Sequence, residues 1–432
     1  MTSSLCRPVC TVFCRTLIVL WAVSLISLPQ SAHAAERGSR ISLGIDHLAD
    51  RNFRPLWGKR VGLLSNPAGV NRFGRSTIDI LRAQNEFQLV ALFGPEHGIY
   101  GDEKANQPIE DRIDARTGLP VYSLYGKYRK PTPEMLANID TLVIDLQDVG
   151  VRSYTYVSSM RLAIQACFEQ GKEVVVLDRP NPLGGQKVDG PMLDKRFESY
   201  VGAFPVPYVH GLTIGELARM LKEVPGWLGV EEDVRLRGRL VIVPMKGWRR
   251  SMLWSDTGLD WVPTSPAIPD LSAAFGYSMT GLGAQLGNFR HGYGTQTPFR
   301  LLTYEGRAPH QIQAALENRA IPGLAFKTIR FRKPDGSTGT GVYVIIENWE
   351  ILRPTEISFW MMQLAATWGP ENPFRSAPGP KALLFNKHVG SESWWQQLIS
   401  EGARVDVRRF VEENTRRAKE FQQWSRTYQM YR

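Results

Sequence analysis

Thr141-Leu142-Val143-Ile144-Asp145-Leu146-Gln147-Asp148-Val149-Gly150-Val151-Arg152 carries the clearest signature of the fold. It begins as a short run with no polar alternation, the pattern of a strand buried on both faces, and breaks at once into acids, an amide, a glycine and an arginine. The same switch from apolar run to polar loop recurs on either side. Val61-Gly62-Leu63-Leu64 leads into Ser65-Asn66-Pro67-Ala68-Gly69, and Leu89-Val90-Ala91-Leu92-Phe93 into Gly94-Pro95-Glu96-His97-Gly98. Val174-Val175-Val176-Leu177 leads into Asp178-Arg179-Pro180-Asn181-Pro182, and Val121 to Leu124 reads as a further strand. Helical patterns over Thr77 to Ala83, Pro133 to Ile139 and Val157 to Gln170 separate these runs. Strands that alternate with helices imply an α/β fold, an open, doubly wound, mainly parallel sheet.

In such a sheet, ligands bind in the crevice beyond the carboxyl ends of the strands. Four strand ends here carry polar or ionisable groups held by Gly or Pro, which is more than connecting loops require. Glu96 beside His97 suits general acid catalysis, because a carboxyl partly buried next to an apolar strand is shifted toward its protonated form. Asp145 and Asp148 are candidate second carboxylates. Asn66, Gln147 and Asn181 offer hydrogen bonds to a polar ligand, and Tyr154 and Tyr156 offer aromatic faces, one of them read as core. Arg152 and Arg179 carry the planar two-pronged donor geometry that holds an anionic group. Asp178-Arg179 and Asp145 with Arg152 read equally well as braces between a loop and its neighbours. His210 stands before a helix whose Thr213 and Glu216 have capping-box spacing, so a structural role is open to it as well.

Beyond residue 225 the pattern is less regular. Trp261-Val262-Pro263-Thr264-Ser265-Pro266-Ala267-Ile268-Pro269 reads as an ordered surface loop. Strands at 326–331 and 342–346 and helices near His310 and from Glu356, Glu392 and Val407 predict a second, auxiliary α+β domain. The division falls within 225–260 and is set at 41–240 and 241–432. No internal repeat or low-complexity tract interrupts either part.

The chain has 432 residues and a net charge of +10. Its first 34 residues carry Arg7 and Arg15, an apolar run from Leu17 to Leu28, Pro29 and Ala32-His33-Ala34. That is the layout of a signal peptide cut after Ala34, and the run is shorter than the roughly 20 residues of a membrane span. Export to the periplasm or beyond, with no stable membrane anchor after cleavage, is the expectation. The remaining 398 residues carry +8 and one cysteine, Cys167, on the apolar face of a helical pattern. No phosphate-binding loop, nucleophile elbow, His-Glu-x-x-His or zinc-type cysteine pattern is present, so no cofactor or metal is expected. Gly281-Leu282-Gly283-Ala284-Gln285-Leu286-Gly287 misses the dinucleotide spacing by one residue and follows no clear strand.

The strand-end blocks are familiar as a set. Gly62 to Val70, Phe93 to Gly98, Ile144 to Tyr156, Leu177 to Gly185 and His210 to Leu217 resemble, in order, those of the NamZ-like exo-β-N-acetylmuramidases. The resemblance implies a Rossmann-like domain plus an auxiliary domain, with a cleft between them. It also implies removal of N-acetylmuramic acid from the non-reducing end of peptidoglycan fragments or muropeptides, with Glu96 at the position of the family's candidate catalytic glutamate. Asp148, then Asp145, would be the second carboxylate, and Arg152 or Arg179 would bind the lactyl carboxylate. The positive excess then suits an anionic cell wall rather than nucleic acid. Gln285 and His291 stand where the family carries glutamates, which leaves open an altered sugar specificity or a wall-fragment binder without turnover.

Overall fold

The computed structural model describes residues 41–101, 103 and 109–432, and these fall in one compact unit. The expected signal peptide at 1–34 lies outside the described residues. In chain order the strands are β1 (Arg60–Ser65), β2 (Gln88–Gly94), β3 (Arg112–Ile113), β4 (Pro120–Ser123), β5 (Thr141–Asp145), β6 (Glu173–Leu177), β7 (Asp189–Met192), β8 (Pro207–Val209), β9 (Leu240–Val243), β10 (Phe289–Arg290), β11 (Leu301–Tyr304), β12 (Leu324–Arg332) and β13 (Thr338–Ile346).

Seven of them form one sheet in the order β3-β4-β2-β1-β5-β6-β9. All of its pairings are parallel except β3 with β4. Leaving out the antiparallel edge β3, the parallel strands follow the doubly wound order 3-2-1-4-5-6, whose direction reverses between β1 and β5. Ser65 at the end of β1 lies in register with Asp145 at the end of β5, so the crevice opens beyond these two residues. Along β5 and β6 every residue is buried. Leu142 and Ile144 join one hydrophobic cluster and Val143 another, so alternate side chains feed cores on opposite faces of the sheet.

The sheet continues past residue 240, because β9 pairs with β6 through Val174–Leu240 and Leu177–Val243. The second sheet is antiparallel, in the order β10-β11-β13-β12, with the helix Pro309–Glu317 packed on it, while the long helix Val407–Ser425 packs against β7 and the helix Glu356–Trp368. The cluster that begins under the parallel sheet runs without a break into Leu302, Trp360, Trp394 and Phe410. Cys167 is buried in that cluster, and burial pushes its thiol pKa up. Among the described residues no helix is long and apolar enough to cross a membrane.

The chain's end is tied back to the parallel sheet. Tyr431 donates its hydroxyl to Asp178 at 2.5 Å, the Met430 amide donates to Glu216 at 2.9 Å, and the Arg250 amide donates to the Arg432 carbonyl at 3.0 Å. Asp178 is fully buried and also accepts from Thr213 and from the Gly215 amide. Burial raises its pKa from 3.8 to about 7, aided by the Glu216 charge and opposed by its hydrogen-bond donors. A carboxyl whose folded pKa exceeds its unfolded value stabilises most below the unfolded pKa, and that contribution disappears as pH rises through the folded one. The melting temperature is therefore expected to fall between about pH 4 and pH 7, and Asp178→Asn to flatten that fall. A parallel profile in the variant would place the titration elsewhere.

Candidate functional site

The crevice beyond β1 and β5 is built from side chains that hold one another. Arg179 donates to both oxygens of Asp145, at 2.6 and 2.8 Å, and to the Val70 carbonyl at 2.7 Å. Thr77 donates to the same carboxylate at 2.5 Å. The Asp145 and Arg179 side chains are only 1% and 2% exposed, so Asp145 has little acceptor capacity left for a ligand. The Asn66 side-chain oxygen Oδ1 accepts the Gln147 backbone N–H, and Gln147 Nε2 donates to the Asp148 and Pro180 carbonyls. Three buried atoms of this group, Asn66 Nδ2, Gln147 Oε1 and Asp148 Oδ1, have no hydrogen-bond partner. Buried polar atoms are rarely left so, and ligand sites are one place where they persist.

Asp148 has a second asymmetry. Its other oxygen accepts the Gly150 amide at 2.6 Å and faces His210 Nε2 at 3.6 Å. The Leu212 amide donates to His210 Nδ1, so a neutral ring carries its proton on Nε2, aimed at Asp148. His210 thus sits beside the carboxylate loop, with its buried Nε2 making no hydrogen bond.

Glu96, half-buried after β2, accepts from Thr155 Oγ1 at 2.8 Å. Tyr125 also donates to it, and burial together with the Glu96 charge pushes that phenol up to about 12. Tyr156 divides its hydroxyl between the Glu96 and Thr264 carbonyls, at 3.3 and 2.6 Å. Tyr277 is likewise pushed up to about 12, by burial first and then by Glu96 and Asp148 together. One phenol therefore feels both carboxylates. His97 adopts a left-handed φ of 71°, unusual for a residue with a side chain, and its Nδ1 lies 3.0 Å from the Glu103 carbonyl. It pins its own loop, and no hydrogen bond to the Glu96 carboxylate is seen.

Other expected contributors have structural work. Arg152 is 1% exposed, and its terminal nitrogens donate to the carbonyls of Pro191, Val206, His388 and Val389. A Cβ at Gly390, whose φ is 77°, would run into that guanidinium. Asn181 donates to the Leu212 carbonyl and accepts the Leu183 amide. Tyr154 and Tyr156 are both buried, with rings 4.8 Å apart and hydroxyls on Thr264, so neither presents an open face. The Pro-rich segment expected at the surface is half inside, because Thr264 and Ser265 are buried against these tyrosines. The structure thus groups Asn66, Gln147, Asp148 and His210, sets Glu96 with Thr155 and Tyr125, and gives Asp145, Arg152, Tyr154, Tyr156, Asp178, Arg179 and Asn181 to the walls.

Thr155, Tyr125 and Tyr277 were not singled out from the sequence. Thr155 sits inside the quoted Ile144–Tyr156 block, whereas Tyr277 comes from the helix Leu271–Thr280 with no local motif. Tyr277 stacks on Phe299 at 5.1 Å, and Phe299 on His291 at 4.4 Å. His291 lines a cavity of about 1210 Å3 with Arg290, Tyr293, Arg330 and Lys333. Burial lowers the His291 pKa to about 4, so the ring is neutral at pH 7. Among the described residues no His, Cys, Asp and Glu cluster is arranged to hold a metal ion.

Two family models account for nearly all of the described chain. Residues 61–272 match "Exo-beta-N-acetylmuramidase NamZ, N-terminal" and residues 275–431 match "Exo-beta-N-acetylmuramidase NamZ, C-terminal". The chain belongs to the NamZ family. It is 37% identical over 382 residues to the peptidoglycan β-N-acetylmuramidase NamZ of Bacillus subtilis strain 168, an overlap of 88% of this chain and 89% of that one. A crystal structure of a DUF1343 family protein from Bacteroides fragilis, BF0371, is 39% identical with a TM-score of 0.80, over 91% of this chain and 99% of that one. A second, BF0379 from the same organism, is 26% identical with a TM-score of 0.66 over the same shares. The junction of the two NamZ models, at 272–275, falls inside the helix that delivers Tyr277.

The Arg152 contacts make a prediction. Removing the guanidinium leaves buried carbonyls without donors, at about 1–3 kcal/mol for each one left unsatisfied. Arg152→Met is expected to lower the melting temperature sharply and leave KM for a sugar substrate unchanged. A raised KM at unchanged stability would return Arg152 to the substrate.

Proposed function

We propose that this protein is an exported glycosidase that removes N-acetylmuramic acid from the non-reducing end of peptidoglycan fragments, with Glu96 as general acid and Asp148 as second carboxylate. Membership of the NamZ family supports the reaction class. The observation that carries the assignment is the buried Asp148 Oδ1 left without a hydrogen-bond partner, with half-buried Glu96 held by Thr155 and with Tyr277 near enough to both carboxylates to feel each. Export rests on the layout of residues 1–34.

Glycosidases flank the scissile bond with two carboxyl groups. In this reading Glu96 gives its proton to the glycosidic oxygen as the bond from the anomeric carbon to that oxygen breaks. Asp148, through its free Oδ1, either attacks that carbon or takes the proton of the attacking water. Thr155 and Tyr125 fix the Glu96 rotamer, and the Gly150 amide holds the other oxygen of Asp148. Asn66 Nδ2 and Gln147 Oε1 supply one donor and one acceptor for sugar hydroxyl or acetamido groups. Asp145 has no direct part, because Arg179 and Thr77 occupy it.

Glu96→Gln and Asp148→Asn are each expected to lower kcat on a chromogenic N-acetylmuramide by about 10²–10⁴-fold with unchanged melting temperature. Full activity in Glu96→Gln would remove the acid assignment. A second reading, a wall-fragment binder without turnover, draws on Gln285, which donates to the Gly281 carbonyl, and on the neutral His291, neither of which brings a carboxylate. Release of free sugar separates the two, since a binder gives saturable binding and no product.

A further inference from the structure

Muramic acid differs from glucosamine by a lactyl ether that ends in a carboxylate, and the two arginines expected to meet it are engaged elsewhere. Arg152 is enclosed by carbonyls, and Arg179 is paired with Asp145. The third parallel strand of the sheet, β4, ends in Leu124-Tyr125-Gly126-Lys127-Tyr128-Arg129, and this loop reaches Glu96 through Tyr125. The Arg129 guanidinium lies over two aromatic rings there, 4.2 Å from the Tyr200 centroid and 5.3 Å from the Tyr125 centroid. Those rings are 6.1 Å apart, and both phenols feel the Glu96 charge. Arg129 is exposed, and among the described residues no carboxylate pairs with it. Lys127 lies over Tyr128, and Lys130 pairs with Glu169, so Arg129 is the cation of this loop turned to the Glu96 tyrosines.

We propose that Arg129 binds the free lactyl carboxylate of the sugar held against Glu96, and that it makes the protein selective for muramic acid whose lactyl group carries no peptide. Aromatic rings under a guanidinium fix its plane and leave its N–H edge open to a bidentate carboxylate. The cation lies against Tyr200 and Tyr125, and among the described residues no acid pairs with it. A stem peptide joins muramic acid through that same carboxylate and turns it into an amide. The amide has no negative charge and one fewer acceptor oxygen, so Arg129 has less to hold. The inference rests on the muramidase reading and adds to it which chemical form of the substrate the site takes.

The experiment compares kcat/KM for a chromogenic β-N-acetylmuramide and for its lactyl amide, in the wild type, Arg129→Ala and Arg129→Lys. The wild type is expected to prefer the acid by about 10–100-fold, the scale of one charge-assisted bidentate pair. Arg129→Ala should bring that ratio close to one through KM with kcat little changed, and Arg129→Lys should restore part of it. Equal use of acid and amide by the wild type, or an unchanged ratio in Arg129→Ala, would overturn the proposal and leave the glycosidase reading intact. If no sugar is released at all, the glycosidase reading fails, and Arg129 is judged by binding. Calorimetric titration with N-acetylmuramic acid and with its lactyl amide should then show an acid preference that Arg129→Ala abolishes. Equal affinity for acid and amide would overturn the proposal by that route too.

Discussion

The buried pair between Asp145 and Arg179 is the constraint on which the crevice depends. Two charges with almost no exposed surface attract strongly but lose their hydration, so the pair's net contribution to stability is small. Its geometric effect is larger. It joins the end of β5 to the end of β6, reaches the β1 loop through the Val70 carbonyl and includes the start of the next helix through Thr77. Removing either partner would leave an uncompensated buried charge at a cost of about 3–5 kcal/mol. With that frame fixed, Asn66, Gln147 and Asp148 keep polar atoms without partners inside a packed protein, which a loose loop would satisfy by collapsing.

The C-terminal part of the chain completes this frame. Thr264 receives the hydroxyls of Tyr154 and Tyr156, Tyr277 stands where both carboxylates act on it, and Tyr431 closes the far side on Asp178. A shared hydrophobic cluster carries these contributions, since residues beneath the parallel sheet and residues between the C-terminal helices belong to it together. The N-terminal family segment supplies the carboxyl groups and the residues that hydrogen-bond them, Thr264 included in its span, and the C-terminal one adds Tyr277 and Tyr431.

Much of the fold was legible in the sequence because its central strands are buried on both faces. A run such as Val174-Val175-Val176-Leu177 has one reading, and its boundaries differ from the observed strand by a single residue. Leu240-Val241-Ile242-Val243 was missed as the last parallel strand because the expected division cut the chain at its first residue. The helix Leu271–Thr280 gave little signal, since Ala, Gly and Phe bury most of its circumference and leave no polar face to set a period. At the site, sequence pointed to the acids and arginines at strand ends, and what it could not supply was their pairing. Asp145 meets an arginine 34 residues away, and Arg152 meets carbonyls as far as 237 residues away. Both arginines looked like ligands for an anion until their partners were in place. Arg129 had the opposite history, an aromatic and basic loop with no motif to draw attention to it.

The most direct measurement is a crystal structure of Glu96→Gln with a disaccharide of N-acetylmuramic acid and N-acetylglucosamine bound. The glycosidic oxygen is expected within about 2.6–3.2 Å of the residue-96 side chain, with Asp148 on the opposite side of the anomeric carbon. A disaccharide seated elsewhere, for example in the cavity lined by His291 and Arg330, with neither residue 96 nor Asp148 beside its glycosidic bond, would contradict that arrangement.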